Sequence, residues 1–384
     1  MVSTTTVMET RFTEQFREIL RAETDPAMRK LREDAFGAFS LSGFPTMKSE
    51  DWKYTNVASL VSRPWSVAGG GKEVKLSSAE IESIKSFSFR RNGFTSLNLA
   101  FADFTVIRIA KETSVGEPIE LSFTADENTA IFPHVLIIAE AGSKATIVES
   151  YASTAKGFTN ATVQIFVEAS ANLTHYRVQR DGVDAYNVGT TEVSLGAGSR
   201  YDSTNINLGG AISRHDIDVK FTAEGGEAFV DGLYMLNGSQ HADTHSIIDH
   251  LVPNCVSHQT YKGVLNDKSR AVFNGKVFVR ENAHGTDAQQ SNKNLLLSND
   301  ARVDTKPQLE IFNDDVKCSH GATVGQLEEE ELFYLLTRGL PETLARNLLT
   351  YGFAEEIINK IKIESIKKEL DAAVLNRLNT TLEG

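Results

Sequence analysis

Glu140-Ala-Gly-Ser-Lys-Ala145 is the first of four short segments, rich in small residues, that recur along the chain at a fixed interval. The other three are Glu168-Ala-Ser-Ala-Asn-Leu173, Gly196-Ala-Gly-Ser-Arg-Tyr201 and Glu224-Gly-Gly-Glu-Ala-Phe229, and each begins 28 residues after the previous one. Each segment is typical of a turn between two strands, because β-branched and aromatic residues alternate with polar ones on both sides. Regular recurrence indicates stacked units that bury their apolar faces against one another. We therefore predict a mainly β fold with a parallel β-helix core, in preference to a β-sandwich.

Helical patterns flank this β-rich region on both sides. We divide the chain into an N-terminal helical region with a linker (1–96), a β-helix core (97–324) and a C-terminal helical domain (325–384). Asp25-Pro26 predicts the start of a helix, with aspartate as N-cap and proline in the first turn. Gly69-Gly-Gly71 is typical of a flexible break. Because a stack of strands has unpaired edges at its ends, we expect flanking helices or an edge-to-edge partner to cover them.

Composition excludes several classes of protein. The 384 residues include 39 basic and 51 acidic ones, a net charge of −12, and no basic stripe that would attract nucleic acid. The apolar runs are too short to span a bilayer, and no apolar signal follows Met1. Two cysteines in so long a chain argue against a disulfide framework. We therefore expect a cytoplasmic protein that binds neither nucleic acid nor membrane.

No catalytic motif is present in the sequence. Gly69-Gly-Gly-Lys72 lacks the first glycine and the final Ser or Thr of a phosphate-binding loop. There is also no His-Glu-x-x-His, Cys-x-x-Cys or Gly-x-Ser-x-Gly pattern. We therefore predict a protein without catalytic machinery of its own.

Cys318 and His320 form the first candidate site. They lie two residues apart in a strand-like run, so their side chains share one face of the strand. A thiolate beside an imidazole suits a soft metal such as iron or zinc, or nucleophilic sulfur chemistry. The alternative is a small buried cysteine next to a hydrogen-bonded histidine.

A second polar cluster occurs at His241, Asp243 and His245, which alternate along one strand face. Two imidazoles and a carboxylate are adequate ligands for zinc or iron. The alternative, which we favour, is a ladder of polar side chains on the solvated face of the solenoid. Cys255 is interpreted as a packed thiol rather than a reactive one.

Several longer motifs resemble the SufB/SufD family of iron–sulfur cluster assembly proteins. The resemblance covers most of the chain, and the block from 269 to 323 is the most specific part of it. The matching segments are Pro45–Thr55, Tyr261-Lys-Gly263, Ser269–Gly275, Asp287–Ser298, Val303–Glu310, Asp315–Thr323, Leu332–Leu335 and Arg338-Gly-Leu340.

Two short segments distinguish the branches of that family. Cys318-Ser-His320 stands where SufB-like chains carry Glu-His-Glu, and the stretch from Val303 to Pro307 has no cysteine where SufB-like chains have a cluster ligand. The sequence is therefore similar to the SufD branch.

This resemblance implies a complex of one SufB, one SufD and two SufC ATPases, and a homodimer when the chain is alone. The β-helices of SufB and SufD would pair edge to edge, with His320 facing a SufB cysteine and Cys318 in the same motif as a second ligand candidate. Iron or a nascent cluster would be held there transiently, no cofactor would be tightly bound by this chain alone, and ATP would be bound by SufC. The segment 327–353 would dock SufC, with these candidate residues: Leu332, Phe333, Tyr334, Arg338, Leu340, Pro341 and Tyr351.

Two other functions stay open from the sequence. One is a β-helix enzyme such as a polysaccharide lyase, although those enzymes are typically secreted and need clustered carboxylates. The other is a structural adaptor that recruits SufC and holds no metal.

Overall fold

The computed structural model describes residues 4–68, 74, 76–154 and 156–377. The glycine break at 69–71 lies outside the described residues. The N-terminal part is helical, with a single 3-10 turn. Its elements are α1 (Thr4–Ala22), α2 (Pro26–Ser42), the 3-10 turn Glu50–Trp52, α3 (Ala58–Val61), α4 (Ser78–Lys85) and α5 (Gly93–Phe101). Asp25 caps α2 by accepting hydrogen bonds from the backbone N–H groups of Ala27 and Met28, which confirms the predicted helix start.

The described residues also form eighteen strands, which belong to two sheets. The strands are β1 (Ser66–Val67), β2 (Asp103–Ile109), β3 (Ile119–Phe123), β4 (Thr129–Ile131), β5 (Pro133–Ala139), β6 (Lys144–Tyr151), β7 (Phe158–Val167), β8 (Asn172–Gln179), β9 (Tyr186–Leu195), β10 (Arg200–Asn207), β11 (Ile212–Phe221), β12 (Glu227–Leu236), β13 (His241–His250), β14 (Val256–Leu265), β15 (Arg270–Val279), β16 (Thr286–Leu296), β17 (Arg302–Ile311) and β18 (Val316–Gly325).

Their pairing is that of a parallel β-helix. From β6 onward, even-numbered strands stack in the order β6-β8-β10-β12-β14-β16-β18, and odd-numbered strands stack in the order β7-β9-β11-β13-β15-β17. Neighbouring strands within each stack are parallel. Each coil therefore contributes one strand to each sheet, and the predicted fold class is confirmed.

The 28-residue period arises from the turns that join the two sheets. Gly142, Ser170, Gly198 and Gly225 each adopt a positive φ, between 57° and 73°. This conformation favours glycine over residues with a Cβ. The turns also bond to one another along the stack, since the N–H of Gly142 donates to the carbonyl of Ala169 in the next coil. The small residues of the repeat therefore fix one corner in each of these four coils.

Helices cover both outer faces of the solenoid. The N-terminal region packs Trp52, Trp65 and Phe94 against the outer face of the odd-numbered sheet, at Phe158 and Tyr186. The C-terminal helices are α6 (Glu329–Thr337), α7 (Glu342–Ile358) and α8 (Glu364–Arg377).

These helices cover the outer face of the even-numbered sheet, where Ile357 and Ile358 join the cluster of Leu233, Met235 and Val264. Helix α5 lies across the predicted boundary at 96/97, and the division into three domains stays a prediction. Among the described residues, no helix is long and apolar enough to cross a membrane.

Candidate functional site

The last coil, formed by β17 and β18, holds both residues of the Cys-Ser-His motif. Cys318 lies in register with Ala288 of β16, and His320 lies in register with Gln290. Ala288 and Gln290 are buried inside the solenoid. Because alternate residues of a strand share a face, Cys318 and His320 both occupy interior-facing positions. Cys318 is half-buried against the apolar interior, and His320 is exposed.

The terminal coil exposes apolar side chains at the end of the solenoid. Ile311 is 40% exposed, whereas Val279, its partner in register on β15, is fully buried. Phe312 and Val324 are also exposed, at 55% and 48%. Among the described residues, β18 pairs with β16 on one side and with no strand on the other. An apolar end with an unpaired strand edge is a surface that associates readily with another chain.

The surroundings of Cys318 favour the protonated form of its thiol. Burial raises the pKa of Cys318; a backbone hydrogen bond with Ala288 lowers it by a smaller amount, and the charge of Asp287 raises it by less again. A thiol must lose its proton to bind a metal or attack sulfur. A positive charge at the open end of the solenoid would therefore favour deprotonation of Cys318.

The second cluster is an ion-pair network centred on Asp243. Arg214 of β11 lies in register with Asp243 and donates to its carboxylate at 2.6 Å. Thr55 donates to the same carboxylate at 2.6 Å and contacts the Nε2 atom of His241 at 2.8 Å. His245 lies 3.1 Å from the other carboxylate oxygen. Across the part of the chain that the structure describes, no group of three or more His, Cys, Asp or Glu residues could hold a metal ion.

We favoured a ladder of polar side chains on a solvated face, and this prediction is wrong because the side chains are buried. Residues 50–55 cover this face of β13, and the indole of Trp52 lies 3.9 Å from the guanidinium carbon of Arg214. Asp243 and Arg214 are each 1% exposed. Burial alone would raise the pKa of Asp243, but Arg214 and His245 hold it well below its usual range. The cluster therefore anchors the N-terminal segment as a buried ion-pair network.

This network carries a sequence signal that the motif search missed. Arg214 precedes Asp243 by one coil of the solenoid, so the repeat itself places a guanidinium beside the carboxylate. Asp216 completes the network by accepting from Arg214 at 2.9 Å.

A polar cluster inside the solenoid was also missed. His175 contacts the Glu149 carboxylate at 2.7 Å through Nε2 and the Tyr201 hydroxyl at 2.8 Å through Nδ1. Tyr151 donates to the other oxygen of Glu149 at 2.7 Å. All four side chains are buried. Alternation places them on the interior face, but it does not show that polar residues from neighbouring coils meet there.

Cys255 is a packed thiol, as predicted. It is fully buried, and its Sγ lies 3.3 Å from the carbonyl oxygen of Pro253.

The predicted ATPase-docking residues divide into two groups. Within the described chain, α6 buries none of its residues, and Phe333 and Tyr334 are 67% and 56% exposed. Arg338 lies over the Tyr334 ring at 5.0 Å, close to Leu340 and Pro341 in the chain. Tyr351 differs, because its hydroxyl donates to Asp371 and so joins α7 to α8. Its contact is therefore internal.

Comparison with known proteins gives consistent matches over most of the chain. The SufBD core domain of the SUF system for iron–sulfur cluster assembly matches residues 122–353, and the SufBD N-terminal region matches residues 6–83. An iron–sulfur cluster assembly SufBD family protein of Synechocystis is 39% identical over 73% of this chain and 65% of its own length.

Two proteins named SufD are also similar to the chain. The SufD protein of Escherichia coli is 32% identical over 88% of this chain and 90% of its own length. The SufD protein of Bacillus subtilis is 30% identical over 69% of this chain and 62% of its own length.

Proposed function

The chain belongs to the SufBD family of the SUF system, as a SufD-type member, and from this premise we propose that it is a non-ATPase scaffold subunit whose last coil pairs with a SufB-like partner. A role in iron–sulfur cluster assembly follows from the family. The finer assignment rests on one observation, the open coil of β17 and β18. That coil combines an unpaired strand edge, exposed apolar side chains and the Cys318/His320 pair.

The end of the solenoid lacks a further coil to cover its apolar side chains. Ile311 and Phe312 are exposed at the end of β17, and the interior-facing positions of both strands are only partly covered. A second β-helix that stacks on this end would bury them and would satisfy the free edge of β18. We propose a SufB-like chain as that partner, and a second copy of this chain when the partner is absent.

His320 and Cys318 would then lie at the seam between the two subunits. Iron and sulfide are the cargo at this position, and the imidazole and thiol are suitable ligands for iron. The exposed imidazole is available without rearrangement, whereas the half-buried thiol must be deprotonated first. His320 is therefore the first ligand in this proposal, and Cys318 is the second.

The second partner surface in this proposal is on α6. Its exposed aromatic face, Phe333 and Tyr334, is proposed as the docking surface for a SufC-like ATPase, which would bind the ATP. The family assignment favours this scaffold role over the lyase alternative.

The test is cluster reconstitution with the His320→Ala variant in the presence of SufB- and SufC-like partners. Under anaerobic iron and sulfide titration, we expect iron affinity at the seam to fall by about tenfold or more, the size of loss seen when metal sites lose a supporting group. ATP hydrolysis should persist. His284→Ala, an exposed histidine outside the terminal coil, is the matched control.

Unchanged cluster yield in His320→Ala would refute the ligand role of this residue. If a Cys318→Ser/His320→Ala double variant also binds iron normally while complex formation persists, the chain is an adaptor without metal ligands.

A further inference from the structure

A row of three buried amides lies in β16, directly beside the terminal strand β18. Its members, which we call the amide row, are Gln290, Asn292 and Asn294. Each is at most 4% exposed and occupies an interior-facing position, because alternate residues of a strand share a face. The row belongs to the segment 287–298, a motif to which the proposed function gives no role. Buried amides need hydrogen-bond partners, since an unpaired polar group away from water is costly.

Two members of the amide row hold the terminal coil from inside the solenoid. Asn294 donates through Nδ2 to the backbone carbonyl of Thr323 in β18 at 3.3 Å. Thr305 of β17 donates its hydroxyl to Oδ1 of Asn292 at 2.8 Å, and Asn294 donates to the same oxygen at 2.7 Å. The amide row therefore bonds to both strands of the last coil, in addition to the backbone ladder.

The third member, Gln290, is held in one orientation. It donates through Nε2 to Oε1 of Gln259 at 2.6 Å, and Gln259 in turn donates to the hydroxyl of Ser246 at 3.0 Å. Gly275 leaves room for this amide, because a Cβ at that position would lie 2.4 Å from Nε2 of Gln290. Since the nitrogen of Gln290 is bonded to Gln259, the oxygen is the end that is available to another donor.

This oxygen lies next to the strand that carries the candidate iron ligands. Among the described residues, Oε1 of Gln290 has no hydrogen-bond partner, although it is buried. His320 is paired in register with Gln290 on the neighbouring strand, at an interior-facing position. Neighbouring strands lie about 4.8 Å apart, which is within reach of two long side chains on the same face. An imidazole N–H is a suitable donor to a carbonyl oxygen.

We propose that Gln290 is a positioning residue for His320, and that its Oε1 atom accepts a hydrogen bond from one ring nitrogen of the imidazole. The inference rests on the proposed function, because it assumes that His320 is an iron ligand. The bond requires only rotation of the exposed imidazole toward the interior. It fixes the tautomer, so that the other ring nitrogen carries no proton and is available to iron. Metal-binding histidines commonly depend on an acceptor of this kind.

The first test determines the tautomer of His320 in the isolated full-length chain, without any partner. Nitrogen NMR of the chain with isotopically labelled histidine distinguishes the two tautomers in mildly alkaline solution, where an ordinary imidazole is neutral. The His320→Ala variant identifies the signal. His284, an exposed histidine outside the terminal coil, is the internal reference.

In wild type we expect the tautomer ratio of His320 to differ several-fold from that of His284. Gln290→Met keeps the length of the side chain but removes the acceptor, so the ratio should approach that of His284. Gln290→Glu supplies a charged acceptor, which binds an N–H more strongly, so the ratio should move further from that of His284. A wild-type ratio equal to that of His284, or a ratio unchanged by Gln290→Met, would overturn the proposal.

Two control variants separate positioning from a general loosening of the terminal coil. Gln289→Met changes the exposed neighbour of Gln290 on the same strand. Thr305→Val removes the hydrogen bond to Asn292 and leaves Gln290 unchanged. Neither should alter the tautomer ratio of His320, and a change in Thr305→Val as large as that in Gln290→Met would overturn the proposal.

The Gln290→Glu variant keeps the test valid if Gln290→Met does not fold. In that case, a His320 ratio in Gln290→Glu that stays at the wild-type value, or moves toward that of His284, would overturn the proposal.

The second test measures iron binding by the complex with SufB- and SufC-like partners, in anaerobic titration with ferrous iron and sulfide. Gln290→Met should weaken iron binding by about tenfold or more, the loss that follows removal of an outer partner of a metal-binding histidine. ATP hydrolysis should persist. In the His320→Ala background, Gln290→Met should cause no further loss, because Gln290 acts through the imidazole.

Normal iron binding in Gln290→Met, or a further loss in the His320→Ala background, would overturn the positioning role. If His320→Ala itself binds iron normally, the proposed function fails instead, and the tautomer measurement still decides whether Gln290 orients the imidazole.

Discussion

Replacing Arg214 by methionine is expected to release the N-terminal segment from the solenoid. The guanidinium is 1% exposed and donates to Asp243, to Asp216 and to the backbone carbonyl of Asp51, with the Trp52 ring lying over it. Methionine has a similar length but carries no charge, so two buried carboxylates lose their main counter-charge.

The expected cost follows from these contacts. Removing one partner of a buried ion pair costs about 3–5 kcal/mol, because the remaining charge stays buried. Loss of the Trp52 contact adds roughly 1 kcal/mol. The sum, about 4–6 kcal/mol, is comparable with the whole stability of many domains, about 5–15 kcal/mol. Residues 50–55 should therefore detach before the solenoid itself unfolds.

Tryptophan fluorescence during urea denaturation reports this directly, because both tryptophans, Trp52 and Trp65, lie in the N-terminal region. The variant should show an early fluorescence transition, separate from the loss of β circular dichroism. Arg270→Met is the control, since Arg270 is an exposed arginine in the same sheet, and its effect should lie within about 0.5 kcal/mol.

The pH dependence gives a second readout with a defined sign. The pKa of Asp243 is lowered in the folded protein, so its contribution is present above the unfolded value of about 4 and is lost as pH falls below that value. Without Arg214, burial should raise the pKa values of Asp243 and Asp216, and the variant should then gain stability on mild acidification. Equal stability of the Arg214 and Arg270 variants, with the same pH slope, would refute this reasoning.

Two further predictions concern buried groups. Glu149→Gln should lower the free energy of unfolding by about 1–3 kcal/mol in chemical denaturation, because the hydrogen bonds from His175 and Tyr151 lose their charged acceptor. Glu120→Gln, an exposed control, should leave the free energy of unfolding unchanged. Equal effects of the two substitutions would contradict the role of the interior cluster. Alkylation of Cys318 should be slow at neutral pH and accelerate up to and beyond about pH 9, because burial raises the pKa of its thiol. Peptide mass spectrometry measures the rate, and a rate that does not depend on pH in this range would contradict the protonated state.

The fold could be predicted from sequence because its determinant is local. The turn segments at 140–145, 168–173 and 196–201 repeat because the same corner of each coil requires a positive φ, and that requirement selects small residues. Strand alternation then places Cys318 and His320 on one face without any knowledge of distant contacts.

The surroundings of Asp243 could not be predicted in the same way. Its exposure depends on residues 50–55, which are nearly two hundred positions earlier in the chain. The prediction of a solvated ladder failed because no periodic signal connects that segment to β13. The contact between Arg214 and Asp243 could have been predicted, because one coil of the repeat separates these two residues. Burial of Lys262 likewise depends on a helix about ninety residues later.

The coil of β17 and β18 is the surface that we propose pairs with a SufB-like chain. Hydrogen exchange of residues 302–325, measured with and without that chain, tests it most directly. We expect strong protection of the β18 backbone in the complex, together with slower alkylation of Cys318. Unchanged exchange along β18 in a complex that is shown to have formed would place the partner elsewhere on the molecule and contradict the account.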